Sequence, residues 1–158
     1  MKRALVVVLV LLPSLSRSQA VRGWRTLCDG KRISIPMMSK SGQLLSGSYQ
    51  GTLRVFRIAP DASACEELFD TKAVTGKADF SRDDRFLIYV TRAENPITRN
   101  TVDAIVLADL HNKTTKPIIY GETGAQLAFP GFANPDRIVV YDQASKKLLT
   151  IERTRVIR

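Results

Sequence analysis

Histidine and tryptophan each occur once in the 158 residues, and cysteine twice. A single histidine leaves little for general acid–base or metal chemistry, which needs titrating groups held against partners. Two cysteines exclude a disulfide-rich scaffold, and no Cys-x-x-Cys pair offers itself to zinc, redox work or haem. Nine glycines and seven prolines are too few for collagen-like or linker-like chain. No Gly-x-x-x-x-Gly-Lys-[Ser/Thr], Gly-x-Gly-x-x-Gly or Gly-x-Ser-x-Gly pattern occurs, so phosphate cradling and a hydrolase elbow have no support. The residues imply no cofactor. Aromatics make up 7%. The longest apolar run at the N-terminus, Ala4–Leu12, is too short to span a bilayer, which takes about 20 residues.

What is present is enough for one domain with its own core: 44% hydrophobic and 25% charged residues, with a net charge of +9. The first twenty residues read as an address. Lys2 and Arg3 precede the apolar run, Pro13 breaks it, and Ser18 and Ala20 flank a cleavage point before Val21. This is the three-part form of a secretory signal peptide, so 1–20 is expected to be removed and 21–158 to be a soluble, periplasmic or secreted domain without a transmembrane segment. Loss of Lys2, Arg3 and Arg17 lowers the net charge from +9 to +6, and no basic block reads as a nucleic-acid arm. Export also removes the chain from nucleic acid. An oxidising compartment favours pairing Cys28 with Cys65, closing a loop of about 36 residues worth roughly 3–4 kcal/mol in the chain-entropy model. Two free thiols are the alternative.

Helical periodicity is nearly absent. Short β-branched and aromatic runs separated by turn residues predict strands at 33–37, 43–48, 52–58, 65–70, 78–81, 86–91, 104–108, 116–120, 127–132, 138–141 and 147–152. The short connections predict antiparallel neighbours. Three segments overlay on one another: Pro36–Leu45, Ala78–Ile88 and Pro130–Val140. Each is an inner strand ending at Ser39, Ser81 or Ala133, then a tight turn and an apolar strand. The spacings are 42 and 52 residues, and the longer one contains a polar insert, Ala93 to Val102, read as a loop. Repeats of this size, with four strands per unit near 30–72, 73–122 and 123–158, have the dimensions of propeller blades.

Phe80-Ser81-Arg82-Asp83-Asp84-Arg85-Phe86-Leu87 resembles the F-S-x-D-G-x-x-[IL] signature of TolB-type, WD-like β-propeller repeats, and Ile105–Leu110 resembles the strand that follows it. The first repeat keeps Ser39, Gly42 and Leu44–Leu45 but has Ser41 where the family prefers Asp. The third has Ala133 for Ser and Pro135-Asp136 for Asp-Gly. The resemblance implies an all-β fold of about three four-stranded antiparallel blades, bacterial export and a non-catalytic role in protein interaction or scaffolding at the cell envelope. Propellers have about 4–8 blades. Trp24–Leu27 could lend an outer strand to the last blade. Otherwise the array stays open, a homo-oligomer completes it, or the chain is one part of a longer protein. Lys146, Lys147, Arg153, Arg155 and Arg158 read first as a solvated tail, and alternatively as charges that blunt strand pairing at the C-terminal edge.

Candidate chemistry is sparse. His111 falls in a surface turn. Asp79, Asp83 and Asp84 lie close together but lack the spacing of a calcium loop, so no metal site is assigned. Asn112-Lys113-Thr114 is a glycosylation sequon that matters only in a eukaryotic host. Tyr49 and Tyr141, with Arg54, Arg57, Arg82, Arg85, Arg92 and Arg137, form a candidate basic–aromatic binding surface. The expected partner is an envelope protein. The alternatives are a propeller regulatory domain of a peptidase-type enzyme and a binder of acidic envelope polysaccharide or lipid head groups.

Overall fold

Eleven strands alternate with tight turns in the computed structural model, which describes residues 33–49, 52–60, 64–71 and 75–152. Residues 1–20, Trp24–Leu27, Cys28, Arg153, Arg155 and Arg158 lie outside the described residues. The strands are β1 (Ser34–Met38), β2 (Leu44–Tyr49), β3 (Thr52–Ile58), β4 (Cys65–Thr71), β5 (Thr75–Phe80), β6 (Phe86–Glu94), β7 (Thr101–Asp109), β8 (Thr114–Tyr120), β9 (Leu127–Asn134), β10 (Arg137–Asp142) and β11 (Lys147–Glu152). Every predicted strand is present. They form three antiparallel meanders, β1-β2-β3-β4, β5-β6-β7-β8 and β9-β10-β11, so the third sheet has three described strands where four were expected. Among the described residues no helix is long and apolar enough to cross a membrane.

The middle sheet is covered on both faces. Leu87 and Tyr89 join Val106 and Ala108 in packing on Leu44, Leu53 and Val55 of the first sheet. Ile88, Val90 and Ile105 turn the other way, onto Ile138, Val140 and Ile151 of the third. Successive strand residues point to opposite faces, so the unbroken apolar run Phe86–Val90 feeds two cores at once. Truncating a fully buried residue such as Leu87 should cost about 2–5 kcal/mol. A small third cluster, Leu45 and Phe56 under Ile33, Ile58 and Cys65, lies on the opposite face of the first sheet.

The innermost strands β1, β5 and β9 contact their neighbours in turn and share a defect. Pairing slips between Ser34 and Met37, between Thr75 and Ala78, and around Phe129, the same place in each repeat. Ile35 and Phe129 adopt φ of 51° there, and each precedes a proline. A bulge leaves backbone groups outside the ladder, and proline brings no N–H that needs pairing.

Two expectations change. The Ala93–Val102 insert is mostly strand: Ala93 pairs with Val102 and Glu94 with Thr101, leaving a tip closed by Asn95, whose side chain accepts from the N–H groups of Ile97 and Thr98. Polarity misled because most of this hairpin end is exposed, with Val102 its one buried side chain. The third repeat also slips by one residue. Phe80 pairs with Leu87, whereas its counterpart Phe132 pairs with Ile138, so Ile138 and Val140 replace Leu87 and Tyr89 on the core face. A shorter turn at Pro135-Asp136 causes this, and a one-residue shift exchanges the two faces of a strand.

Candidate functional site

The serine of each repeat signature is a turn staple. Ser81 N–H donates to the Phe86 carbonyl at 2.9 Å and the Ser81 hydroxyl accepts from Phe86 N–H at 2.8 Å. Ser39 repeats the wiring with Leu44 at 2.9 and 3.1 Å. The residue two positions on accepts from the chain beyond it: Asp83 from Arg85 N–H, Ser41 from Gln43 N–H. Gly42 (φ 76°) and Asp84 (φ 57°) occupy equivalent left-handed positions. Aspartate tolerates that region better than most residues but at some strain.

Asp84 uses the position to reach across sheets. Its Oδ2 accepts from Ser39 Oγ at 3.0 Å and from Ser41 Oγ, joining two equivalent turns, while its Oδ1 is buried without a partner among the described residues. Asp79 Oδ2 accepts from Phe132 N–H at 2.8 Å, and Asp103 Oδ2 from Leu127 N–H at 3.0 Å, each joining the middle and third sheets. The three aspartates considered for calcium are therefore split between separate structural tasks. Among the described residues no group of three or more His, Cys, Asp or Glu is placed to hold a metal. Asp109 organises the β7–β8 turn. Despite some desolvation, its carboxyl is held below the ordinary 3.8 by bonds from Asn112, Arg85 and His111. Asp142 is lowered too, first by the Ser145 hydroxyl at 2.6 Å and then by Gln126 N–H.

The β1–β2, β5–β6 and β9–β10 turns meet at one end of the molecule. Between them lies a cleft of about 520 Å³ lined by Lys40, Ser81, Arg82, Asp83 and the run Phe132–Pro135. A second cleft of about 510 Å³ opens at the same end between the first two sheets, with Leu44, Arg57, Leu68, Arg85 and His111 on its walls.

The basic–aromatic residues divide between the two ends. Arg82, Arg85 and Arg137 sit at the turn end, with Arg57 close by. Tyr49, Arg54, Arg92 and Tyr141 lie toward the other end. Tyr49 and Arg54 do meet, the guanidinium stacking 4.9 Å from the ring while it pairs with Glu67 at 2.8 Å. Arg57 pairs with Glu66, Arg85 with Asp109, Arg92 with Asp103 and Arg137 with Glu152. Arg82 forms no ion pair among the described residues, and neither does Lys40. Lys40 was missed from the sequence, although the 42-residue spacing places it where Arg82 stands in the next repeat. Cys65 begins β4, and its expected partner Cys28 is outside the described residues.

No family model and no curated protein sequence matches the chain. Solved structures match in shape. The Cps50 (Swd1) β-propeller domain of Myceliophteria thermophila aligns with a TM-score of 0.58 and 9% identity, over 74% of this chain and 39% of that one. The fold is a partial β-propeller. An oligogalacturonate lyase in complex with manganese aligns at 0.58 and 11% identity, over 75% of this chain and 37% of that one. Dipeptidyl peptidase 4 of Porphyromonas gingivalis aligns at 0.56 and 12%, over 77% and 24%. The chain thus spans less than half the length of each, and at such identities the likeness concerns fold alone. The three sheets are blades, β1, β5 and β9 are their inner strands, and the 520 Å³ cleft opens on the propeller axis.

Proposed function

We propose that this partial propeller is a non-catalytic interaction module that holds an acidic segment of a partner protein at its turn end. The observation that carries the reading is the axial cleft. All three repeat turns contribute to it, it bears Lys40 and Arg82, which form no ion pair among the described residues, and Phe132 and Pro135 supply apolar surface beside them. An apolar patch next to these cations suits a carboxylate-bearing peptide. Asp83 shares the cleft and accepts from the Ser81 hydroxyl and the Arg85 backbone, and the two cations outnumber this one carboxylate.

In this reading the protein works outside the cytoplasm as a TolB-type module of the cell envelope. The motif around Ser81 and the signal-like segment 1–20 support that placement. Mass spectrometry of the exported product should find Val21 at its N-terminus and a Cys28–Cys65 disulfide. Retention of residues 1–20 would contradict the first point and two alkylatable thiols the second.

Affinity capture from an envelope fraction tests the function. Wild type should retain one discrete protein at physiological and at high salt, and the double variant Lys40→Glu/Arg82→Glu should lose it. Retention on acidic polymers that disappears with salt would instead favour a polyanion binder.

A further inference from the structure

The axial cleft uses one position of the repeat three times. Lys40, Arg82 and Asn134 directly follow Ser39, Ser81 and Ala133, and all three line the cleft. Each brings N–H donors. The acceptor end of Asn134 is engaged: its Oδ1 accepts from Asp136 N–H at 2.9 Å, while its NH2 group donates to no described residue. The unused end of the amide is therefore a donor. Charge narrows what fits beside these groups. Lys40 and Arg82 share the cleft with one carboxylate, Asp83, which leaves a single positive charge in excess. A dense acidic run or a doubly charged phosphate would exceed that charge and meet Asp83 as a like neighbour. A lone carboxylate matches it. Such a group has about four lone-pair sites. The Arg82 fork can fill two, and the Lys40 ammonium and the Asn134 amide one each. Phe132 and Pro135, which flank Asn134 in the chain, put apolar surface next to this donor set.

We infer that the cleft holds one carboxylate with an apolar group next to it, each of the three described blades donating to it from the same repeat position. This rests on the reading of the turn end as a peptide-binding surface, and it narrows the acidic segment to a single carboxylate. Asn134 becomes the third member of the site, an uncharged donor in the place that Lys40 and Arg82 hold in the other two turns. Two peptide sources carry the required chemistry. One is a chain end whose last residue is apolar. The other is an aspartate or glutamate beside an apolar residue.

NMR titration of the purified chain with small blocked probes tests this. N-acetylphenylalanine, which carries carboxylate and ring on one residue, should give saturable shifts at Lys40, Arg82 and Asn134. N-acetylphenylalanine amide should give none. Acetyl-aspartyl-phenylalanine amide has its carboxylate on an internal side chain. Tighter binding of this probe than of N-acetylphenylalanine assigns the source to a side chain, and the reverse order assigns it to a chain end. A doubly blocked tri-aspartate should bind no tighter than either. Asn134→Asp keeps an oxygen for Asp136 N–H at an exposed position, so the fold should survive, as β-type circular dichroism will report. With its donor replaced by a charge, affinity for N-acetylphenylalanine should fall by about 10-fold or more. Asn134→Ser, neutral and able to accept the same N–H, should lose at least about 3-fold. Wild-type affinity in both variants, no saturable shift with N-acetylphenylalanine, or tighter binding of tri-aspartate would overturn the inference. Tri-aspartate binding that is lost in Lys40→Glu/Arg82→Glu would still leave the peptide-binding reading standing. N-acetylphenylalanine binding unmoved by that double variant would overturn both.

Discussion

Replacing Asp84 with glycine sets two effects of opposite sign against each other. The residue sits at φ 57°, in the left-handed region, where the equivalent position of the first repeat is Gly42. Relief of backbone strain alone would stabilise Asp84→Gly by about 1 kcal/mol. Removing the buried, unpartnered Oδ1 adds about 1 kcal/mol in the same direction. Against this stand the bonds from Ser39 and Ser41 that tie the first blade to the second. Hydrogen bonds to a charged acceptor contribute about 1.5–3 kcal/mol each, and the exposed Ser41 belongs near the low end. The sum is a net loss of about 1–2 kcal/mol, or roughly 2–6 °C in Tm for a domain this size. Urea denaturation measures it directly. Asp84→Asn, which keeps the left-handed preference and an acceptor oxygen, should fall between wild type and glycine. In a double-mutant cycle, Ser39→Ala should cost at least about 0.5 kcal/mol less when Asp84 is already glycine. An Asp84→Gly protein as stable as wild type, or more so, would refute the claim that the cross-blade bonds outweigh the strain.

Other expectations can be checked on the same samples. Ser81→Ala takes the hydroxyl acceptor from Phe86 N–H and one of the donors from Asp83, and should cost about 1–3 kcal/mol by urea titration. Asp79→Ala cuts the bond to Phe132 N–H, and should lower stability by about 1–2 kcal/mol while leaving circular dichroism β-type. At Gly47 an added Cβ would collide with Ile33 Cγ2 and lie 3.1 Å from the Ser34 carbonyl, so Gly47→Val should be destabilising by about 1–3 kcal/mol in the same titration. Asp109 and Asp142 both ionise more readily in the fold than their ordinary 3.8, so their contribution is complete above that value and is lost as pH falls through the lower folded values. Thermal melts from pH 5 downward should show that decline, and Asp142→Asn should flatten it.

The strands were legible because their cause is local. Alternating apolar residues bounded by Ser-x-x-Gly or Asp-Asp turns dictate antiparallel hairpins whatever lies beyond them, and all eleven strands reappear within a few residues of their predicted ends. The repeat itself was legible because Ser39 and Ser81 perform the same backbone task in each turn. The shift in the third repeat was not. Ala133 and Pro135 removed the hydroxyl and carboxylate that set the register, and a pattern of three consecutive apolar residues, Ile138 to Val140, fits either face. The basic–aromatic residues were expected to share one surface, and the structure places them at two ends. Their division between two ends depends on which way each strand runs, and their neutralisation depends on cross-strand partners such as Glu67, thirteen residues from Arg54.

Sequence alone therefore determined composition class, strand order, turn chemistry and the threefold repeat, because each rests on contacts within a few residues. Only the tertiary structure decided which cations pair among the described residues and which do not. Lys40 and Arg82 belong to different blades and stand together because the turns converge on the axis. It also turned Asp84 from a poor match to a glycine motif into a bond between blades. That bond spans 45 residues of chain, and no local pattern encodes a contact whose two halves meet only when whole sheets pack.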